Sequence, residues 1–173
     1  FSVENLKKGV ALLTGTTSGV GLNTLKPLIR SGWEVIAINR SNKRAFDECK
    51  KILSKDESNH ITFIEIDLSN LDEVRKGAED IINRFGSNLK IVICNAAVYK
   101  PRLRKPERSS QGYENSMAVN HFGHFLLINL LLETILNTSH DINLNGKDIK
   151  FIPRITILGT VTANYNELGG RIP

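Results

Sequence analysis

Val10-Ala11-Leu12-Leu13-Thr14-Gly15-Thr16-Thr17-Ser18-Gly19-Val20-Gly21 is the stretch that decides the fold of this chain. Residues 10–14 are short and almost wholly apolar, and they read as a buried strand. The strand runs straight into glycines. From about residue 19 the apolar residues change to helical spacing, with Leu22, Leu25, Leu28 and Ile29 on one face. A strand that turns through glycines into a helix makes a cradle for a diphosphate. The backbone can approach the anion closely, and the helix N-terminus presents unpaired N–H groups with a partial positive charge. The hydroxyls of Thr16, Thr17 and Ser18 are expected to add donors. The spacing is GxxxGxG, not GxGxxG. It is therefore the strand–turn–helix context that makes Gly15, Gly19, Val20 and Gly21 candidates for dinucleotide binding.

The same alternation continues outward. Residues 34–39 predict a second strand. A helix over 42–54 follows, capped by Asn42, with Ala45, Phe46, Cys49, Ile52 and Leu53 inward. Residues 60–66 are β-branched and predict a third strand. A helix capped by Ser69 or Asn70 runs to about residue 85, with Leu71, Val74, Ala78, Ile81 and Ile82 as its stripe. Residues 89–94 predict a fourth strand, and a loop with Pro101 and Pro106 leads into a long helix over 110–137. Asn143, Asn145, Gly146 and Asp148 mark a surface excursion, and residues 154–158 predict a fifth strand. Pro27 is a misfit that should kink the first helix, and Gly32 closes that helix. Alternating strands and helices, with apolar strands, predict an α/β fold: a Rossmann-like, doubly wound parallel sheet with helices on both faces. The sequence reads as one domain over 1–173.

Composition narrows the function. At 40% hydrophobic and 24% charged residues the chain has material for a core, which excludes a disordered segment. Two cysteines, Cys49 and Cys94, make neither a disulfide framework nor a zinc site, so no metal is expected. His121 and His124 lie three apart on one helix without a third ligand in view. No apolar run reaches the length of a membrane span. The net charge is +5, and residues 99–109 carry all but one of it: Lys100, Arg102, Arg104, Lys105 and Arg108 against Glu107. With no basic helix and no aromatic interleaving, nucleic acid is not the expected partner. A solvated loop, or a site for an anionic ligand or membrane surface, fits better.

The second strand ends Asn39-Arg40-Ser41-Asn42-Lys43-Arg44. A site for the ribose 2′-hydroxyl of NAD usually has an acid here. Arg40, Lys43 and Arg44 suit the 2′-phosphate of NADPH instead, because a guanidinium grips a phosphate with parallel hydrogen bonds.

Several stretches resemble the short-chain dehydrogenase/reductase family. Thr14 to Gly21 resembles its TGxxxGxG loop. Asp67-Leu68 resembles the acidic position that holds adenine. Asn95-Ala96-Ala97 resembles its NNAG motif, with Cys94 at the first Asn and Ala97 at the Gly. Asn120 matches its structural and catalytic asparagine, and Thr160 stands at its catalytic serine. Within the family, residues 94–99 (CNAAVY), 120–127 (NHFGHFLL) and 158–173 resemble the light-dependent branch that reduces protochlorophyllide, and Thr160 resembles its cyanobacterial type.

The resemblance implies hydride transfer from NADPH to the ring D double bond of light-excited protochlorophyllide, then protonation. Asn120 would hold a water in the proton path. Thr160 would stand near the nicotinamide, with Tyr99 and Thr162 beside the substrate. No Tyr-x-x-x-Lys pair occurs in the chain, so an N-terminal fragment, inactive by itself, is expected. Also expected are peripheral contact with thylakoid lipid, a homo-oligomer left open, and a place at a cyanobacterial cytoplasmic or thylakoid surface or in a plastid. Two alternatives stand: another NADPH-dependent reductase of ketones or alcohols, and a non-catalytic NADPH-binding module.

Overall fold

A computed structural model describes residues 8–100, 105–137, 141–144 and 147–159. In chain order the elements are β1 (Gly9–Thr14), α1 (Gly19–Arg30), β2 (Trp33–Asn39), α2 (Asn42–Ile52), α3 (Lys55–Ser58), β3 (Ile61–Glu65), α4 (Leu71–Phe85) and β4 (Leu89–Cys94). They continue with α5 (Asn115–Met117), a π-helical segment (Ala118–Gly123), α6 (His124–Asn137), β5 (Asp141–Leu144), β6 (Lys147–Lys150) and β7 (Arg154–Ile157).

One five-stranded sheet has the order β3-β2-β1-β4-β7, and every neighbouring pair is parallel. The chain winds outward from β1 in one direction through β2 and β3, then returns to β4 on the other side. The C-terminal ends of β1 and β4 therefore flank the switch point, where open α/β sheets form a crevice. The expected doubly wound sheet is the observed one.

Successive strand residues point to opposite faces, and both faces are covered. Leu13 and Val35 pack with Leu25 and Ile29 of α1 and Cys49 of α2. Leu12, Ile36 and Val92 pack on the other face with Val74, Ala78 and Ile81 of α4 and Leu127, Leu131 and Ile135 of α6.

The boundaries differ from expectation in four places. Ser41, not Asn42, caps α2 by accepting from the Arg44 N–H. Residues 55–58 form a separate turn of helix, held by a capping box in which Ser54 and Glu57 satisfy each other's backbone N–H. The long helix starts at Asn115 rather than residue 110. Gly112 has a positive φ (+85°), and Glu114 caps the helix by accepting from Ser116 and Met117. The surface excursion is an antiparallel pair, β5 with β6. Pro27 sits inside α1, which continues to Arg30. The helix Asn115–Asn137 is, by length and composition, apolar enough to cross a membrane, contrary to the expectation of no such run. Its Leu127, Leu131 and Ile135 are nevertheless buried against the sheet.

Close packing of the π segment is a testable constraint. A Cβ on Gly123 would overlap the carbonyl oxygen of Leu68, which is backbone and cannot step aside. Gly123→Ala should cost about 1–3 kcal/mol. Gly112→Ala meets open space and should cost only about 1 kcal/mol for its left-handed backbone. Denaturant midpoints check both, and equal midpoints for the two variants would refute the packing argument.

Candidate functional site

The C-terminal ends of β1, β2 and β4 open on a cleft of about 410 Å³. The glycine loop forms one wall. Gly15 has φ +74°, and a Cβ there would lie 2.7 Å from Ala96 Cα. A Cβ on Gly21 would collide with the Gly15 carbonyl and the Asn95 side chain. Glycine is thus required at both positions by close backbone approach. Gly19 has φ +57° with open space around it, so its requirement is conformational.

The N-terminus of α1 faces this cleft with Gly15, Thr17, Ser18 and Val20. Ser18 makes no side-chain cap, and the first turn carries no acid. By contrast, α2 and α4 are capped by Ser41 and Asn70. The leading N–H groups of α1 therefore lack a side-chain acceptor, which is the condition for holding an anion.

The expected Thr16 donor is corrected. Thr16 is buried, and its backbone N–H and hydroxyl both donate to Asn39 Oδ1 (2.7 and 3.2 Å), while Asn39 Nδ2 donates to Thr16 Oγ1 at 2.9 Å. Its hydroxyl ties the loop to β2 and does not face the cleft. Arg40, Ser41 and Arg44 line the far end. Lys43 is exposed and is not among the lining residues.

Asp67 and Leu68 line the opposite wall. Asp67 Oδ1 accepts from the N–H and the hydroxyl of Ser69, both at 2.8 Å. Asn95, Ala96, Ala97, Val98 and Val119 complete the lining. Asn95 Nδ2 donates to the carbonyls of Thr14 and Gly15 (2.9 Å each). Thr14 Oγ1 accepts from the N–H groups of Asn95 and Ala96 (2.9 Å each), and His124 Nε2 lies 2.9 Å from the same oxygen. Burial holds the His124 pKa below its ordinary value, opposed by the Asn120 backbone carbonyl.

Asn120 sits in the π segment. Its Oδ1 accepts from the Val98 N–H (2.7 Å) and its Nδ2 donates to the Val98 carbonyl (2.9 Å). The side chain thus clamps the strand that leaves β4. Tyr99 is 79% exposed and is not among the lining residues. Thr160 and Thr162 lie outside the described residues, as do Arg102 and Arg104. Lys100 pairs with Glu107 at 2.6 Å, which offsets one charge of the basic loop, and Arg108 donates to the Gly112 carbonyl. His121 stacks near Phe122 and Phe125, away from the role His124 has on Thr14. Among the described residues no cluster of three His, Cys, Asp or Glu could hold a metal.

Asn39, Ser41, Val98 and Val119 join the site without having been singled out in the sequence. Asn39 had a signal: one amide ending an otherwise apolar strand, which a buried position obliges to find partners.

Residues 9–142 match the model of the short chain dehydrogenase family. The chain belongs to that family. It is 34% identical over 171 residues to protochlorophyllide reductase A, chloroplastic, of Oryza sativa subsp. japonica, covering 98% of this chain and 41% of the relative. It is 37% identical to the chloroplastic protochlorophyllide reductase of Cucumis sativus, covering 98% and 40%. The Chlamydomonas reinhardtii enzyme is 36% identical, covering 96% and 39%. The chain thus spans about two-fifths of the length of these curated relatives. Among solved structures, L-sorbose reductase from Gluconobacter frateurii, complexed with NADPH and L-sorbose, superposes with TM-score 0.61 at 18% identity, covering 75% of this chain and 48% of that one. An alcohol dehydrogenase from Thermococcus sibiricus, complexed with 5-hydroxy-NADP, gives 0.60 at 23%, covering 76% and 55%. These two show the short-chain dehydrogenase fold.

The thiols of this short-chain dehydrogenase are a check on its packing. Burial pushes Cys94 up to about 11; burial, then the Glu48 charge, does the same for Cys49. At pH 8 roughly one thiol in a thousand is then thiolate. Neither should be alkylated in the native chain, and both should react after denaturation. Peptide mapping reads this, and rapid native labelling of Cys94 would contradict the buried end of β4.

Proposed function

We propose that this chain is the NADPH-binding part of a light-dependent protochlorophyllide reductase. The observation that carries the reading is the match of nearly the whole chain to proteins named protochlorophyllide reductase, at 34–37% identity; the light requirement is our proposal. The cleft supports the cofactor. A loop where a Cβ on Gly21 would collide, an α1 N-terminus without a cap and two arginines at the far end fit an elongated anion. NADPH bound there would supply the hydride.

The residues divide the work by chemistry. Gly15, Thr17, Ser18, Gly19, Val20 and Gly21 would receive the diphosphate on α1. Arg40 and Arg44, with Ser41, would hold the 2′-phosphate through charge-assisted hydrogen bonds. Asp67 and Leu68 would flank the adenine, and Asn95, Ala96 and Ala97 the nicotinamide half. Asn120 fixes Val98 and would keep a water in the proton path, with Thr160 beside the reacting ring. Tyr99 and Thr162 would stand near the pigment. Lys100 and the basic residues that follow would meet the pigment's carboxylate or an anionic lipid. The relatives named chloroplastic support a plastid or cyanobacterial origin; the basic loop is the ground for a membrane surface.

The test uses the full-length enzyme. NADPH should bind at least about tenfold more tightly than NADH, since each contact to a charged group contributes about 1.5–3 kcal/mol. Arg40→Ala should weaken NADPH and leave NADH nearly unchanged; equal losses would assign Arg40 to folding. Protochlorophyllide should be converted only under light. Carbonyl reduction in the dark, with no pigment conversion, would replace this reading with that of an ordinary short-chain reductase.

A further inference from the structure

We propose that His124 is a positioning residue for the cleft: as a neutral imidazole protonated at Nδ1, it accepts a hydrogen bond from the Thr14 hydroxyl at Nε2 and so holds the ends of β1 and β4 together. The functional part of this rests on the reading of the cleft as an NADPH site.

Counting donors and acceptors gives the tautomer. A threonine hydroxyl has one proton and two lone pairs. Both lone pairs of Thr14 Oγ1 are used by the N–H groups of Asn95 and Ala96, each at 2.9 Å. The hydroxyl proton therefore points at His124 Nε2, also 2.9 Å away, and Nε2 must be bare. The other ring nitrogen lies 3.4 Å from the Asn120 carbonyl, which can only accept. Nδ1 therefore carries the proton. Burial lowers the ring's affinity for a second proton.

Packing alone does not ask for a histidine here. His124 begins the buried stripe that continues through Leu127, Leu131 and Ile135. A leucine would extend that stripe without the cost of taking an imidazole out of water. What leucine cannot do is accept a proton. Without an acceptor, the Thr14 hydroxyl must give up an amide of Asn95 or Ala96, or remain unsatisfied in the core. The first outcome loosens Asn95 from the glycine loop, where its Nδ2 bridges the Thr14 and Gly15 carbonyls; the second weakens the junction by leaving a buried donor unpaired. The His124 Nδ1 contact to the Asn120 carbonyl lies within the same helix, one turn back, at the residue whose side chain clamps Val98. One side chain of α6 thereby holds two segments that line the cleft, the end of β1 and the turn after β4.

The experiment compares His124→Gln and His124→Leu in the full chain. A glutamine carbonyl can replace Nε2 as acceptor, and leucine cannot. We expect His124→Leu to raise the NADPH Kd about tenfold and His124→Gln to stay within about threefold of wild type. Thr14→Val, which also strands the Asn95 and Ala96 amides, should lose at least as much as His124→Leu, and the double variant should lose no more than Thr14→Val alone. Ring ¹⁵N spectra of histidine-labelled protein should show His124 protonated at Nδ1 only. The Asn95 and Ala96 amide resonances should shift in His124→Leu and return in His124→Gln. An Nε2-protonated or doubly protonated ring would overturn the proposal. So would wild-type NADPH affinity in His124→Leu, or a glutamine variant no better than leucine. If His124→Leu does not fold, the tautomer and the glutamine variant still decide. Failure of the wild-type chain to bind NADPH would overturn the cofactor reading, while the amide shifts would still report whether His124 orders the loop.

Discussion

The structure depends on one close approach of backbone to backbone, where Gly15 and Gly21 meet the turn after β4. No Cβ fits at either glycine, because Ala96, Asn95 and the Gly15 carbonyl already occupy the space. Bringing chain segments this close shuts water away from their amides and carbonyls. Each must then find a partner inside the protein. Asn95 answers for two carbonyls, Thr14 for two amides and Asn39 for the Thr16 amide. The entry of α1, the wall of the cleft and the position of the Asn95 turn all follow from that junction.

Electrostatics then divide the cleft into two ends. The α1 N-terminus leaves its N–H groups without a side-chain acceptor or a nearby acid, while α4 has both an Asn70 cap and Asp72 and Glu73 in its first turn. Arg44 lies in the first turn of α2, where a cation opposes the helix dipole. Such a placement costs a few tenths of a kcal/mol, up to about 1, in isolation. It becomes favourable when an anion lies between Arg44 and Arg40, which is what the proposed 2′-phosphate would supply.

The fold was legible where the signal was periodic and local. Apolar runs over β1, β2 and β4 alternate with amphipathic helices, and the parallel sheet follows from that alternation. The start of the long helix was less legible. Ser110 to Tyr113 are compatible with a helix in composition, and only the positive φ at Gly112 and the Glu114 cap move the start to Asn115. The β5–β6 pair has four-residue strands of mixed polarity, too short for a period-two pattern to stand out. In the site, the glycine loop was legible because its residues are contiguous. Thr16 was misread because its partner, Asn39, lies 23 residues away, and the Thr14–His124 contact spans 110. Such pairs depend on strand register and helix rotation, which no local pattern contains.

Helix rotation is the point at which these polar residues matter most. Leu126, Leu127, Ile128, Leu130, Leu131 and Leu132 make α6 apolar on nearly every face. Hydrophobic burial therefore distinguishes weakly between one rotation of α6 on the sheet and the next. Two neighbouring residues resolve the degeneracy. Gly123 allows the helix to touch the Leu68 carbonyl on one face only. His124 can be buried without an unpaired Nε2 only where that nitrogen meets Thr14; its Nδ1 contact to the Asn120 carbonyl lies within the helix. In any other rotation Nε2 would be unpaired in the core, at about 1–3 kcal/mol, and the Thr14 hydroxyl would lose its acceptor. A buried polar contact thus selects one arrangement among several that apolar packing would accept, as single polar residues do in coiled-coil cores. That arrangement is the one that brings Asn120 to Val98 and closes the cleft wall beside Asn95.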